Sequence, residues 1–217
     1  MTHPRRYPVR IEGITPRRLR LIVSVGLYGG ALGGAALLVN FLARTDPPHV
    51  PQHMPVDATV LLSGGAATAC AILAVLMTLW MSNPSERERA RGLLIWLLAG
   101  FGFGVLSPVA TGAVLPLAMV FLATHNGDLP SSDFLVHATS ALLQAPSSAF
   151  THGVFGLYTG LTVGALFGFG AWVLDWATHS SAPKVPEYAP YVLAAILSIL
   201  FYGVAAFGPV ETLARFG

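Results

Sequence analysis

The chain has 217 residues, 54% of them hydrophobic and only 10% charged, with a mean hydropathy of +0.65, where an ordinary soluble domain is about 25% charged. A formal charge of +2 and a single cysteine leave neither a nucleic-acid-binding surface nor a disulfide scaffold. The composition is that of an integral membrane protein.

The first twenty residues, MTHPRRYPVRIEGITPRRLR, are polar and basic, so no cleavable signal peptide is expected ahead of the first apolar run. A span needs roughly 20 apolar residues to cross about 30 Å of hydrocarbon, and residues 21–43 meet that length. Within them GGALGG sets Gly29 against Gly33 and Gly30 against Gly34, the spacing at which small residues let two helices approach closely. The segment HVPQHM follows, where His49 and His53 stand beside Met54. Imidazole and thioether donors suit copper or zinc, although Pro48 and Pro51 argue against a helix that would aim both rings at one ion.

A second run covers 58–81, with Ser63, Gly64, Gly65, Thr68 and Ala69 as a small-residue patch and Cys70 as a small apolar filler. The stretch ERERAR, 86–91, reads as a solvated connection suited to anionic headgroups. The third run, 92–124, holds 33 residues, about 50 Å of helix, and so must tilt, protrude or break. Pro108 deprives the Gly104 carbonyl of its donor and Pro116 repeats the defect, so a kink is expected between them. The alternative is a discontinuous helix whose unwound carbonyls bind an ion or substrate. Gly100 and Gly104 repeat the close-packing spacing.

Beyond it, Asp133 is placed to cap a short helix with Phe134, Leu135, Ala138 and Leu142 on one face, ended by Pro146. This pattern predicts an amphipathic helix lying on the outer membrane surface. The fourth run, 153–174, contains GLYTGLTVGALFG, with Gly156, Gly160, Gly164 and Gly168 four residues apart. Four residues turn a helix by about 400°, so these glycines wind slowly along one face and predict a groove for another helix. It belongs either to this bundle or to a partner subunit. A fifth run covers 188–210.

The expected fold is therefore all-α: one membrane domain, 1–217, of five transmembrane helices with a short amphipathic helix on the periplasmic face. Ten of the twelve cations fall in the leader, the second connection and the fourth connection, which predicts a cytoplasmic N-terminus and a periplasmic C-terminus in a bacterial inner membrane. Trp80, Trp96, Trp172 and Trp176 fall at the same predicted ends, where indoles favour the headgroup layer. Asp57, Asp175, Glu187 and Glu211 sit at span ends, so no mid-span charge marks a proton relay. Thr111, Tyr158, Thr159, Thr162, Ser198 and Tyr202 lie at depth and are expected to hydrogen-bond between helices. His152 opens the fourth run without a second intraspan histidine to complete a haem site, and no cofactor is assigned.

No phosphate loop, catalytic triad or metalloprotease pattern is present. The sequence thus favours a non-catalytic inner-membrane subunit that packs by glycine-rich faces within a larger complex, its partners being lipids and other membrane subunits or copies of itself. A small permease or channel, formed by oligomerisation around a kinked third helix, is the alternative. A periplasmic-face metal protein or membrane enzyme stands third.

Overall fold

The computed structural model describes residues 15–44, 56–81, 92–180 and 186–207. These form α1 (Pro16–Arg44), α2 (Val56–Met81), α3 (Leu93–His125), α4 (Phe134–Phe155), α5 (Leu157–His179) and α6 (Ala189–Phe207), with a 3-10 turn at Ser131–Asp133 and no strand among them. By length and composition α1, α2, α3 and α5 are each able to cross a membrane, while α6 is apolar and shorter.

Helix ends follow local chemistry. Thr15 caps α1, its Oγ1 accepting from the Arg18 amide at 3.2 Å, and Pro16 fills the first helical position, where a missing N–H has no consequence. α3 stops at Asn126 because Gly127 takes φ +80°. The Gly127 amide turns back to the Thr124 carbonyl and that of Asp128 to Ala123, the paired bonds of a Schellman motif, which a residue with a Cβ closes only under strain.

α1 is the central helix: Val25, Tyr28 and Leu32 are almost wholly enclosed, and α2, α5 and α6 pack around it. α3 packs in turn on α2, α4 and α5. A row of aromatic rings ties four helices together. Phe103 of α3 stacks on Phe167 of α5 at 4.0 Å, Phe167 on Tyr28 of α1 at 6.3 Å, and Tyr28 meets Phe201 of α6 at 6.0 Å. The buried Tyr28 hydroxyl donates to the Leu166 carbonyl at 2.8 Å, so its polar atom is satisfied where water does not reach.

The glycine faces of α3 and α5 meet each other. A Cβ on Gly164 would lie 2.8 Å from the Gly104 Cα, one on Gly104 2.5 Å from the Gly160 carbonyl, and one on Gly168 2.6 Å from the Trp96 carbonyl. The hydrogen that stands in for each missing side chain therefore points at a facing carbonyl, the Cα–H···O contact found where helices touch backbone to backbone. The Gly104 carbonyl, left without its helical donor by Pro108, is one of those acceptors. On α1, Gly29 is held against Ala74 and Phe167, Gly30 against Ala67 and Ala71, Gly33 against Cys70, and Gly34 against Tyr202 and Ser63.

α3 is one continuous helix through Pro108 and Pro116, which sets aside the discontinuous alternative. One sequence expectation needs correction: Pro146 does not end the helix after Asp133 but lies inside α4, which continues to Phe155. There Gly156, at φ −86° and ψ −5°, separates α4 from α5, with amide bonds from Gly156 to His152 and from Gly160 to Gly156 carrying the helical ladder through. α4 lies antiparallel along α3: Phe134 meets Phe121, Gly153 meets Val109, and Gly156 meets Pro108. It sets small residues, Ala138 and Ala141, inward and turns Leu135, Val136, Leu142 and Leu143 outward.

The four tryptophans differ in burial. Trp80 and Trp176 are exposed, but Trp96 is fully buried, because its indole N–H finds a partner inside: it donates to Asp175 Oδ2 at 2.8 Å. Asp175 is itself buried and takes His179 Nδ1 at 2.8 Å on its other oxygen. Together with an Arg20 to Glu187 ion pair at 2.8 Å and an Arg18 contact to the Leu79 carbonyl at 3.4 Å, this gathers the starts of α1, α3 and α6 and the ends of α2 and α5 at one end of the bundle.

Candidate functional site

Pro108 inside α3 and Gly156 between α4 and α5 face one another. The proline ring lies against Gly156 and Gly160, 2.6 Å and 3.2 Å from where their Cβ atoms would be. Beside this contact α1 offers only Gly33, Ala36 and Leu37, so the helices leave a cavity of about 350 Å³. Cys70, Ser107, Thr111, Leu115, His152, Phe155 and Thr159 complete its wall.

Its polar groups have defined settings. Cys70 Sγ lies 3.7 Å from Thr111 Oγ1 and 3.9 Å from the Ser107 carbonyl, and Cys70 and Ser107 are both buried. His152 Nδ1 lies 2.9 Å from the Ser148 carbonyl of its own helix. A carbonyl only accepts, so that nitrogen carries the proton, and in the neutral ring Nε2 is the acceptor. Gly112 makes the placement possible: a Cβ there would stand 2.7 Å from His152 Cβ and 2.8 Å from the Ser148 carbonyl.

A second, more open concavity of about 620 Å³ runs between α3 and α4 and shares Leu115 and His152 with the first. Ser140, Gln144, Ser147 and Thr151 line it; at steps of four, three and four residues they form one polar stripe on α4. The stripe is readable in the sequence once α4 is known to pass through Pro146. Pro116 and His137 also border this groove.

Other sequence-derived sites fall elsewhere. His49 and His53 lie outside the described residues. His137 and His152 are fifteen residues apart on one helix, about 22 Å, and among the described residues no three metal-binding side chains come together. Of the polar groups at depth, Tyr202 donates to Ser63 Oγ across helices at 2.6 Å, Thr162 bonds back to Tyr158 of its own helix, and Tyr158 is exposed. The hydroxyls of Ser24 and Ser198 are buried without a partner. Cys70, expected as a filler, is a wall of the cavity.

Compared with protein-family models, curated proteins and solved structures, the chain matches none.

Proposed function

We propose that the chain is a non-catalytic subunit of a larger bacterial inner-membrane complex, with five spans, a cytoplasmic N-terminus and a periplasmic C-terminus. α5 offers no free glycine face for a partner, since α3 occupies it. The carrying observation is on α2. Gly64 is exposed with nothing within 4 Å of its Cβ position, although a helical glycine costs about 1 kcal/mol relative to alanine. Gly64 and Thr68, four residues apart, share one exposed face, and Thr68 borders an open groove of about 410 Å³ between α1 and α2 that Gly26, Gly30, Ala31, Ala67 and Ala71 line. Inside the chain the same residue types receive helices at backbone distance, and a transmembrane helix of another subunit would offset the cost at Gly64 in the same way. The test is purification in mild detergent from native membranes. Gly64→Leu with Thr68→Leu is expected to release a co-migrating membrane protein without lowering the thermal unfolding temperature of the isolated chain; retention of every partner by the double variant would sink the reading.

A second reading, a small permease acting as an oligomer, is favoured by the meeting of the α3–α4 groove with the Pro108 cavity at His152. For it, proteoliposomes should admit a small uncharged solute, and Leu115→Trp, which obstructs the junction, should slow uptake at least fivefold. Equal uptake with and without protein would exclude this role.

A further inference from the structure

We propose that the Pro108 cavity is a binding site for an uncharged molecule carrying a hydroxylated ring, with His152 as the acceptor of its hydroxyl. The proposal goes beyond both readings above and holds whether the chain is a subunit or a permease. Three features of the site fix the class of ligand.

The first is charge. Neither the cavity nor the groove leading to it is lined by a described Lys, Arg, Asp or Glu, and an ion brought to such a wall would lose its hydration without a counter-charge. The second is size. A protein cavity of about 150 Å³ is enough to hold benzene, so about 350 Å³ takes two fused rings or one ring with a short substituent. Phe155, Leu37 and Leu115 supply apolar walls for such a body.

The third is polarity confined to a few groups. The Ser148 carbonyl holds the His152 proton on Nδ1, which makes Nε2 of the neutral ring a hydrogen-bond acceptor on a residue that lines both cavity and groove. Thr111 and Cys70, in contact with each other at 3.7 Å, offer an O–H and an S–H. A ligand hydroxyl has one proton to give and lone pairs to receive: it donates to His152 Nε2 and accepts from Thr111. An alkane of the same size fills the space but leaves the imidazole nitrogen unpaired, and so binds more weakly. The ring can arrive as a free phenol or as the head of an isoprenoid lipid whose tail lies along the α3–α4 groove.

The probes are 2-naphthol and naphthalene, equilibrated by dialysis with the protein in nanodiscs at neutral pH, binding to protein-free discs being subtracted. Wild-type protein should bind 2-naphthol at least fivefold more tightly than naphthalene. His152→Phe, which keeps a ring in place but removes the acceptor, should reduce 2-naphthol to the naphthalene level, and Thr111→Val, close in shape, should lower the preference if the histidine variant does not fold. A naphthol bearing an isoprenoid tail is compared with the free compound: tighter binding of the tailed probe identifies a lipid head group, weaker binding a free phenol, and both support the site. No excess of 2-naphthol over empty discs, equal affinity for the two probes, or a preference undiminished in the variants overturns the proposal.

Discussion

At the residue scale, what a glycine faces decides the effect of replacing it. At Gly164 a new Cβ meets the Gly104 Cα at 2.8 Å and its amide nitrogen at 2.9 Å; backbone atoms inside a helix cannot rotate aside, so the two helices must part. Overpacking of this kind costs about 1 to 3 kcal/mol. At Gly64 and Gly203 nothing stands within 4 Å, and alanine gains up to about 1 kcal/mol of helix propensity. Gly164→Ala should therefore lower the unfolding temperature of the isolated protein and Gly203→Ala should hold or raise it; the same sign at both positions would contradict the packing described. The buried Asp175 makes a parallel case. Asp175→Asn trades a carboxylate oxygen for an NH₂ facing either the Trp96 N–H or the His179 Nδ1–H, and loss of a charged hydrogen bond costs about 1.5 to 3 kcal/mol. Thermal unfolding should register that loss, and His179→Ala should cost less, since it leaves the Trp96 bond in place.

Among the elements, α3 and the consecutive pair α4 and α5 show what the sequence disclosed and what it concealed. The glycine spacing from Gly156 to Gly168 announced a close helix contact, and small residues every fourth position need no knowledge of the partner to be recognised. Which helix fills the face was not legible, because Gly100 and Gly104 of α3 carry the same signal as α1 and α2. Pro146 misled for a physical reason: proline bars the bond to the carbonyl four residues back, but a helix packed on a neighbour tolerates that loss. The cavity was hidden altogether, since it arises where Pro108 of one helix meets Gly156 of another, a coincidence of positions 48 residues apart in sequence. If that contact fixes the junction of α4 and α5 against α3, the two positions are energetically coupled. Gly156→Ala should destabilise the protein, and less so when Pro108→Gly has removed the facing Cβ and ring. A double-mutant cycle should show at least about 0.5 kcal/mol of coupling; additive effects would mean that the junction is fixed elsewhere.

For the whole molecule, the remaining question is how many helices cross the bilayer, and α6 decides it. α6 has 19 residues, about 28 Å of helix against about 30 Å of hydrocarbon, so length alone is marginal. Its packing is more informative. Near its start Glu187 pairs with Arg20 at the beginning of α1, and near its end Tyr202 reaches Gly34 and Ser63. It therefore runs parallel to α1 over the depth from residue 20 to residue 34, and α1 is long and apolar enough to be a span. Two parallel neighbours covering the same depth support the fifth span proposed above. The end at which both begin carries Arg17, Arg18 and Arg20, and the segments bearing Arg87, Arg89, Arg91 and Lys184 attach to helices that end or begin there, which favours the cytoplasm for that end. A reporter active only in the cytoplasm should thus work when fused after Arg91 and fail when fused after Gly217. Activity at both sites would make the number of crossings after Arg91 even, which leaves α6 or one of its companions outside the hydrocarbon and removes the parallel pairing with α1 as an argument for a fifth span.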